Sequence, residues 1–234
     1  MSLTLSATFK RPHRLRPTLS IVMWAIVMTA FTLRVTAEES TIEQSVRQET
    51  EQIAETDNLV VYYAGHGELD RANARGHWLP VDAEPTNTAN WISNVTVTDI
   101  LNAMSARHIL VVADSCYSGT LTRASMAQIE GGAAEETRDA WLRSILAKRS
   151  RTALTSGGLE PVLDVGGGDH SVFARVLLDV LRENDQLLEG QKLFQEVAAR
   201  VAWAASNARF DQAPQYAPIK YAGHESGDFV FVPR

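Results

Sequence analysis

The strongest constraint on the fold is a pair of short apolar segments, each followed by a reactive polar residue. Residues 59–64 lead into His66, and residues 109–113 lead into Cys116, the only cysteine of the chain. Both segments have strand length and are rich in aliphatic and β-branched residues, and a glycine follows each reactive residue. The carboxyl ends of neighbouring strands in an open parallel sheet face one crevice. The sequence therefore predicts an α/β fold in which a thiol and an imidazole lie close together.

Length and charge narrow the class of protein. A chain of 234 residues is long enough for one α/β domain with an appendage. The first 37 residues contain five basic and no acidic residues, whereas the remaining 197 residues carry a net charge of −11. Such an acidic body argues against a nucleic-acid partner.

The N-terminus has the pattern of a secretory signal peptide. Basic residues up to Arg16 precede an apolar stretch over residues 19–33, and small residues at 35 and 37 precede two glutamates. We therefore expect cleavage after Ala37, export to the periplasm or medium, and a mature domain over residues 38–234 without a membrane span. The apolar stretch is short for a transmembrane helix, and an uncleaved membrane anchor is the alternative.

The remaining pattern alternates strands and helices. A capping box at residues 96–99 predicts the start of a helix. Further strands are predicted at residues 151–155 and 229–232, and further helices at residues 135–148, 171–183 and 191–206. Alternation of this kind predicts a parallel sheet covered by helices on both faces.

Five short motifs resemble those of one peptidase group. They are YYAGHG at 62–67, WLPVD at 78–82, ADSCYSG at 113–119, LTSGG at 154–158 with EP at 160–161, and HSVF at 170–173. The chain resembles the caspase-like cysteine peptidases, which comprise caspases, metacaspases and bacterial orthocaspases, from about residue 53 to 233. The spacing from histidine to cysteine is also typical of caspases. The resemblance implies a three-layer α/β/α sandwich with a mostly parallel central sheet.

The same resemblance assigns catalytic roles. His66 and Cys116 would form a catalytic dyad, and the backbone amides of Gly67 and Cys116 would form the oxyanion hole. The thiolate is the competent nucleophile, and a nearby imidazole stabilises it. Peptides or proteins would then be the substrates, with no cofactor. The alternative for Cys116 is a small buried apolar side chain.

Substrate selection is the second implied role. In metacaspases the acid two residues before the cysteine lines the S1 pocket, so Asp114 would select arginine or lysine at P1. The alternative is an aspartate that stabilises its own turn. Ser156 would line the substrate cleft, or it would be an ordinary turn residue. Animal caspases, which cut after aspartate, use arginines in S1, and Arg71 and Arg151 remain open for that role.

The histidines show no spacing typical of a zinc site. Some metacaspases are activated by calcium, but no EF-hand-like loop occurs in this sequence.

The chain departs from the family pattern upstream of His66. The strand, helix and second strand that normally begin the domain are not recognisable, so the fold is predicted to be N-terminally incomplete. An apolar sheet edge would then lie open, unless residues 19–33 or a partner chain covers it. A truncated or inactive homologue that acts as a binding or regulatory module is therefore the alternative to an active endopeptidase.

Overall fold

The two predicted strands lie side by side at the centre of the molecule in a computed structural model of the chain. The structure describes residues 2–7, 31–35, 53–84, 86–115, 121, 135–158, 170–207 and 212–233. Cys116 lies outside these residues.

From residue 92 to residue 218, strands and helices alternate as predicted. The strands are β1 (Ser2–Ala7), β2 (Phe31–Val35), β3 (Asn58–Ala64), β4 (His66–Asp70), β5 (Arg75–Leu79), β6 (Ile92–Ser93), β7 (His108–Asp114), β8 (Ser150–Thr155), β9 (Leu188–Glu189), β10 (Gln215–Pro218) and β11 (Val230–Phe231). The helices are α1 (Asn94–Ala103), α2 (Glu135–Ala147), α3 (Val172–Glu183) and α4 (Gly190–Asn207), with a 3-10 helix at Thr88–Asn90. None of the helices in these ranges has both the length and the apolar character needed to cross a bilayer.

The central sheet has the strand order β10-β8-β7-β3-β1-β2 within the described part of the chain. β3, β7 and β8 are parallel, whereas β10 is antiparallel to β8 and β1 is antiparallel to β3. The predicted α/β fold with parallel central strands is confirmed, and the sheet is mixed because antiparallel strands flank this centre on both sides. Two smaller sheets, β4-β5-β6 and β9-β11, accompany it.

Helices pack on both faces of the parallel strands. One face, which includes Val61 and Val111, packs against Leu101 of α1. The other face, which includes Leu110 and Val112, packs against α3 and α4. Every residue of β8 is buried, and β7 is buried up to Ala113, as expected for strands covered on both sides. This arrangement is the predicted three-layer sandwich.

The edge of β3 is paired within the chain. β1 runs antiparallel to it, from Ser2 opposite Ala64 to Ser6 opposite Val60. Residues 2–7 therefore occupy the position beside β3 for which the sequence suggested residues 19–33 or a partner chain. Removal of residues 1–37 would take away both β1 and β2 and leave β3 at the edge.

At the amino-terminal ends of the parallel strands, a buried arginine joins the central sheet to α1. Arg151 at the start of β8 is fully buried, and it donates hydrogen bonds to the carbonyls of Leu101 (3.1 Å), Met104 (2.9 Å), Arg107 (3.1 Å) and Ser150 (2.8 Å). The last carbonyl groups of a helix have no hydrogen-bond donor within the helix. The Arg151 side chain donates to one of them, the carbonyl of Leu101. Burial, aided by the charge of Arg149, lowers the pKa of Arg151 to about 9, so the group stays protonated at neutral pH.

We expect Arg151→Met to lower the free energy of unfolding by about 3–5 kcal/mol, because it leaves buried carbonyls without donors. Urea denaturation measures this change. Arg149→Met is the matched control, since Arg149 donates to the carbonyls of Asn102 and Met104 but is only partly buried, so that water replaces its bonds. It should cost about 1 kcal/mol. Equal losses in the two variants would contradict this account.

Candidate active site

Two segments of the chain leave the same end of the central sheet. β3 and β7 pair in parallel register, from Asn58 opposite His108 to Ala64 opposite Asp114. His66 follows Ala64 by two residues, and Cys116 follows Asp114 by two residues. The register therefore aligns the positions that precede the two predicted catalytic residues. Cys116 itself lies outside the described residues, so its roles as nucleophile and oxyanion-hole donor stay predictions.

Tyr63 holds the backbone at His66. Its hydroxyl donates to the His66 carbonyl (2.6 Å) and accepts the Leu79 N–H (3.1 Å). Its ring stacks on Trp78, with ring centroids 4.3 Å apart and planes 4° from parallel. Burial raises the pKa of Tyr63, so the hydroxyl keeps its proton as a donor. The backbone of His66 is thereby fixed, while its imidazole lies on the exposed side of β4.

Glycine is required next to this tyrosine. A Cβ atom at Gly65 would lie 2.7 Å from the Tyr63 hydroxyl oxygen, closer than real Cβ contacts allow. Gly67 is buried and pairs with Trp78 across β4 and β5. Its predicted role as an oxyanion-hole donor is untested, but its position one residue after His66 places it on the same strand.

Asp114 is bonded by two hydroxyl groups from different elements. Ser171 Oγ donates to Asp114 Oδ2 (2.5 Å), and the Tyr62 hydroxyl lies 3.4 Å from the same oxygen. Ser171 is also the N-cap of α3, where its Oγ accepts the Ala174 N–H (2.9 Å). Burial, followed by the charge of Asp114, raises the pKa of Tyr62, which keeps that hydroxyl protonated. Asp114 is thus held between β3 and α3.

Ser156 lies at the same end of the sheet but is fully buried. Its N–H donates to the Ala113 carbonyl (3.0 Å), and its own carbonyl accepts from Gln212 Nε2 (2.9 Å). Its hydroxyl has no hydrogen-bond partner among the described residues. The backbone contact places Ser156 beside the β7 end, and its role in lining the cleft stays a prediction.

The two arginines named above as candidates for the S1 pocket, Arg71 and Arg151, lie in other parts of the fold. Arg151 is opposite Ile109, at the start of β7, whereas Asp114 is at its end. Arg71 is exposed in the turn between β4 and β5. Arg151 is committed to backbone carbonyls at the far end of the sheet, so it does not converge on Asp114.

Tyr62, Tyr63 and Ser171 are site residues that the sequence analysis did not single out. Two tyrosines at the end of an aliphatic strand, and a serine at the start of a predicted helix, were the available signals. No group of three or more His, Cys, Asp or Glu side chains suited to a metal ion occurs within the ranges that the structure describes.

Comparison with known proteins identifies the family. The family model of the caspase domain of peptidases matches residues 23–220, which is most of the chain. The chain belongs to the caspase-domain family. The match begins inside the segment that the sequence analysis predicts to be a signal peptide. Membership indicates a caspase-like peptidase and therefore peptide or protein substrates.

Among solved structures, the chain is similar to the crystal structure of protein GSU0716 from Geobacter sulfurreducens, with 16% sequence identity and a TM-score of 0.48. The alignment covers 81% of this chain and 77% of that one. A search of curated proteins gave no match.

We expect Tyr63→Phe to lower the free energy of unfolding by about 1–2 kcal/mol, because it removes the bonds to His66 and Leu79 but keeps the ring on Trp78. Thermal and urea denaturation measure the change. Tyr221→Phe is the control, since Tyr221 is 79% exposed, and it should change stability by less than about 0.5 kcal/mol. A Tyr63→Phe protein as stable as the control would show that this hydroxyl does not hold the His66 backbone.

Proposed function

We propose that this chain is a cysteine endopeptidase in which His66 and Cys116 form the catalytic dyad. The supporting observation is the parallel register of β3 and β7, in which Ala64 lies opposite Asp114. Each reactive residue comes two positions after this pair, at the carboxyl ends of neighbouring strands, where α/β proteins bind their ligands. Membership of the caspase-domain family supports the same reaction class.

The reaction proceeds in two stages. The Cys116 thiolate attacks the peptide carbonyl carbon, and the resulting oxyanion receives hydrogen bonds from the amides of Gly67 and Cys116. The C–N bond then breaks, His66 gives a proton to the leaving amine, and a thioester remains. Water, deprotonated by His66, hydrolyses the thioester and restores the thiol. The exposed imidazole of His66 is accessible to substrate and water.

Asp114 supports cleavage after arginine or lysine. Its carboxylate is partly buried, beside the position from which the Cys116 segment leaves the sheet. A partly desolvated carboxylate pairs strongly with a guanidinium or ammonium group, and most strongly with the planar guanidinium. Arg151 bonds to backbone carbonyls at the far end of the sheet, so it offers no cation to a P1 aspartate beside this carboxylate.

Peptide hydrolysis tests the proposal. We expect Arg- and Lys-P1 fluorogenic peptides to be cleaved, Asp- and Ala-P1 peptides to be spared, and Cys116→Ala to abolish cleavage. Asp114→Asn should lower kcat/KM for Arg-P1 peptides about 100-fold, because the charge partner of the guanidinium is lost. Asp99→Asn, on the exposed side of α1, is the control and should leave kcat/KM unchanged.

An acyloxymethyl ketone probe with arginine at P1 separates this proposal from its alternative. The active peptidase should be labelled at Cys116. A folded protein that is neither labelled nor able to cleave any peptide in a Cys116-dependent manner would contradict the proposal and favour the inactive binding module.

Export is the accompanying proposal, supported by the basic and apolar N-terminal segment. Mass spectrometry of protein from the periplasm or medium should give an N-terminus at Glu38. The cleaved chain lacks β1, so we expect β3 to pair with another chain and light scattering to detect self-association. An intact N-terminus in the membrane fraction would favour the anchor instead.

A further inference from the structure

The carboxylate of Asp114 is held by two hydroxyl groups, which we name the hydroxyl clamp: Tyr62 from β3 and Ser171 from the N-cap of α3. Both bond to the same oxygen, Oδ2, at 3.4 Å and 2.5 Å respectively. They come from residues 52 and 57 positions away in the chain. The clamp therefore fixes this carboxylate relative to both the central sheet and the helical layer.

The clamp places two hydroxyl donors on one carboxylate oxygen. Short hydrogen bonds to a carboxylate are the stronger class, and the contact from Ser171 is the shorter of the two. Tyr62 stays protonated as a donor because burial and the charge of Asp114 raise its pKa. Ser171 donates to Asp114 while accepting the Ala174 N–H, so one hydroxyl links the carboxylate to the first turn of α3.

We propose that Tyr62 and Ser171 are positioning residues that hold Asp114 in the geometry that receives the P1 side chain; this inference rests on the proposed function. A carboxylate fixed before binding avoids the entropic cost of ordering it when substrate arrives. A planar guanidinium requires a defined carboxylate orientation, whereas an ammonium group binds as a point charge. The clamp thus sets both the affinity for basic P1 residues and the preference for arginine over lysine.

Two variants remove one hydroxyl each. Tyr62→Phe removes only the hydroxyl oxygen, and Ser171→Gly removes the donor to Asp114 at a helix N-cap position where glycine is well tolerated. Each should raise KM for Arg-P1 peptides about three- to tenfold and leave kcat within about twofold, which corresponds to the loss of one hydrogen bond of ordinary strength. The rise in KM for Lys-P1 peptides should be smaller. The rate of Cys116 alkylation by iodoacetamide should be unchanged.

Two further variants serve as controls. Ser171→Thr keeps both the hydroxyl and the cap, and it should retain the KM of the native enzyme. Ser93→Gly makes the same change at the N-cap of α1, where Ser93 Oγ accepts the Thr96 N–H at 3.1 Å on the opposite face of the sheet. It should leave KM unchanged even where stability falls.

The outcomes separate the inference from the proposed function. A native enzyme that cleaves after arginine, with unchanged KM in both Tyr62→Phe and Ser171→Gly, would overturn the clamp and leave the proposed function intact. Equal rises in KM for Arg- and Lys-P1 peptides would overturn its role in selectivity. No Cys116-dependent cleavage by the native protein would overturn both. If Ser171→Gly does not fold, as judged by circular dichroism, Tyr62→Phe decides alone.

Discussion

The parallel pairing of β3 with β7 is the constraint on which the site depends. It sets Ala64 beside Asp114, so a slip of one residue along either strand would turn alternate side chains to the opposite face. The alternating residues of both strands pack into two separate apolar layers. Packing of the core thus determines where the chain positions of the predicted dyad emerge. The geometry of the proposed dyad is in this sense a consequence of strand register.

Two adjacent tyrosines at the end of β3 bond to the two parts of the candidate site. Successive side chains of a strand point to opposite faces, so Tyr63 stacks on Trp78 beneath the His66 strand, while Tyr62 points to Asp114. The hydroxyl of Tyr63 fixes the His66 backbone, and that of Tyr62 bonds the carboxylate. One dipeptide at the end of β3 therefore supports both His66, the proposed base, and Asp114, the proposed specificity residue. Burial keeps both hydroxyls protonated, since it raises the pKa of each.

The sequence predicted the elements that bury continuous apolar runs, but it did not predict the polar contacts between them. The predicted central residues of β3, β7 and β8 are correct, because a run of aliphatic and β-branched residues of strand length indicates a buried strand. The start of α1 was placed at a Thr96 capping box, whereas Ser93 is the N-cap and Thr96 supplies the N–H that it accepts. β1 was missed because its short run, SLTLSA, lies just before the basic residues that were assigned to a leader. The bonds from Tyr62 and Ser171 to Asp114 join residues over fifty positions apart, and no local pattern encodes such pairs.

The two ends of the parallel strands hold charged side chains in different ways. At the amino end, the Arg151 cation is buried among carbonyl oxygens of α1 and the following loop, where it closes the helix end on the sheet. At the carboxyl end, the Asp114 carboxylate accepts hydrogen bonds from the hydroxyl groups of Ser171 and Tyr62. The Arg151 cation bonds to backbone acceptors, whereas the Asp114 carboxylate accepts from the hydroxyl groups of side chains. The same sheet therefore has a structural cation at one end and, at the other, the carboxylate that we propose receives a basic P1 side chain.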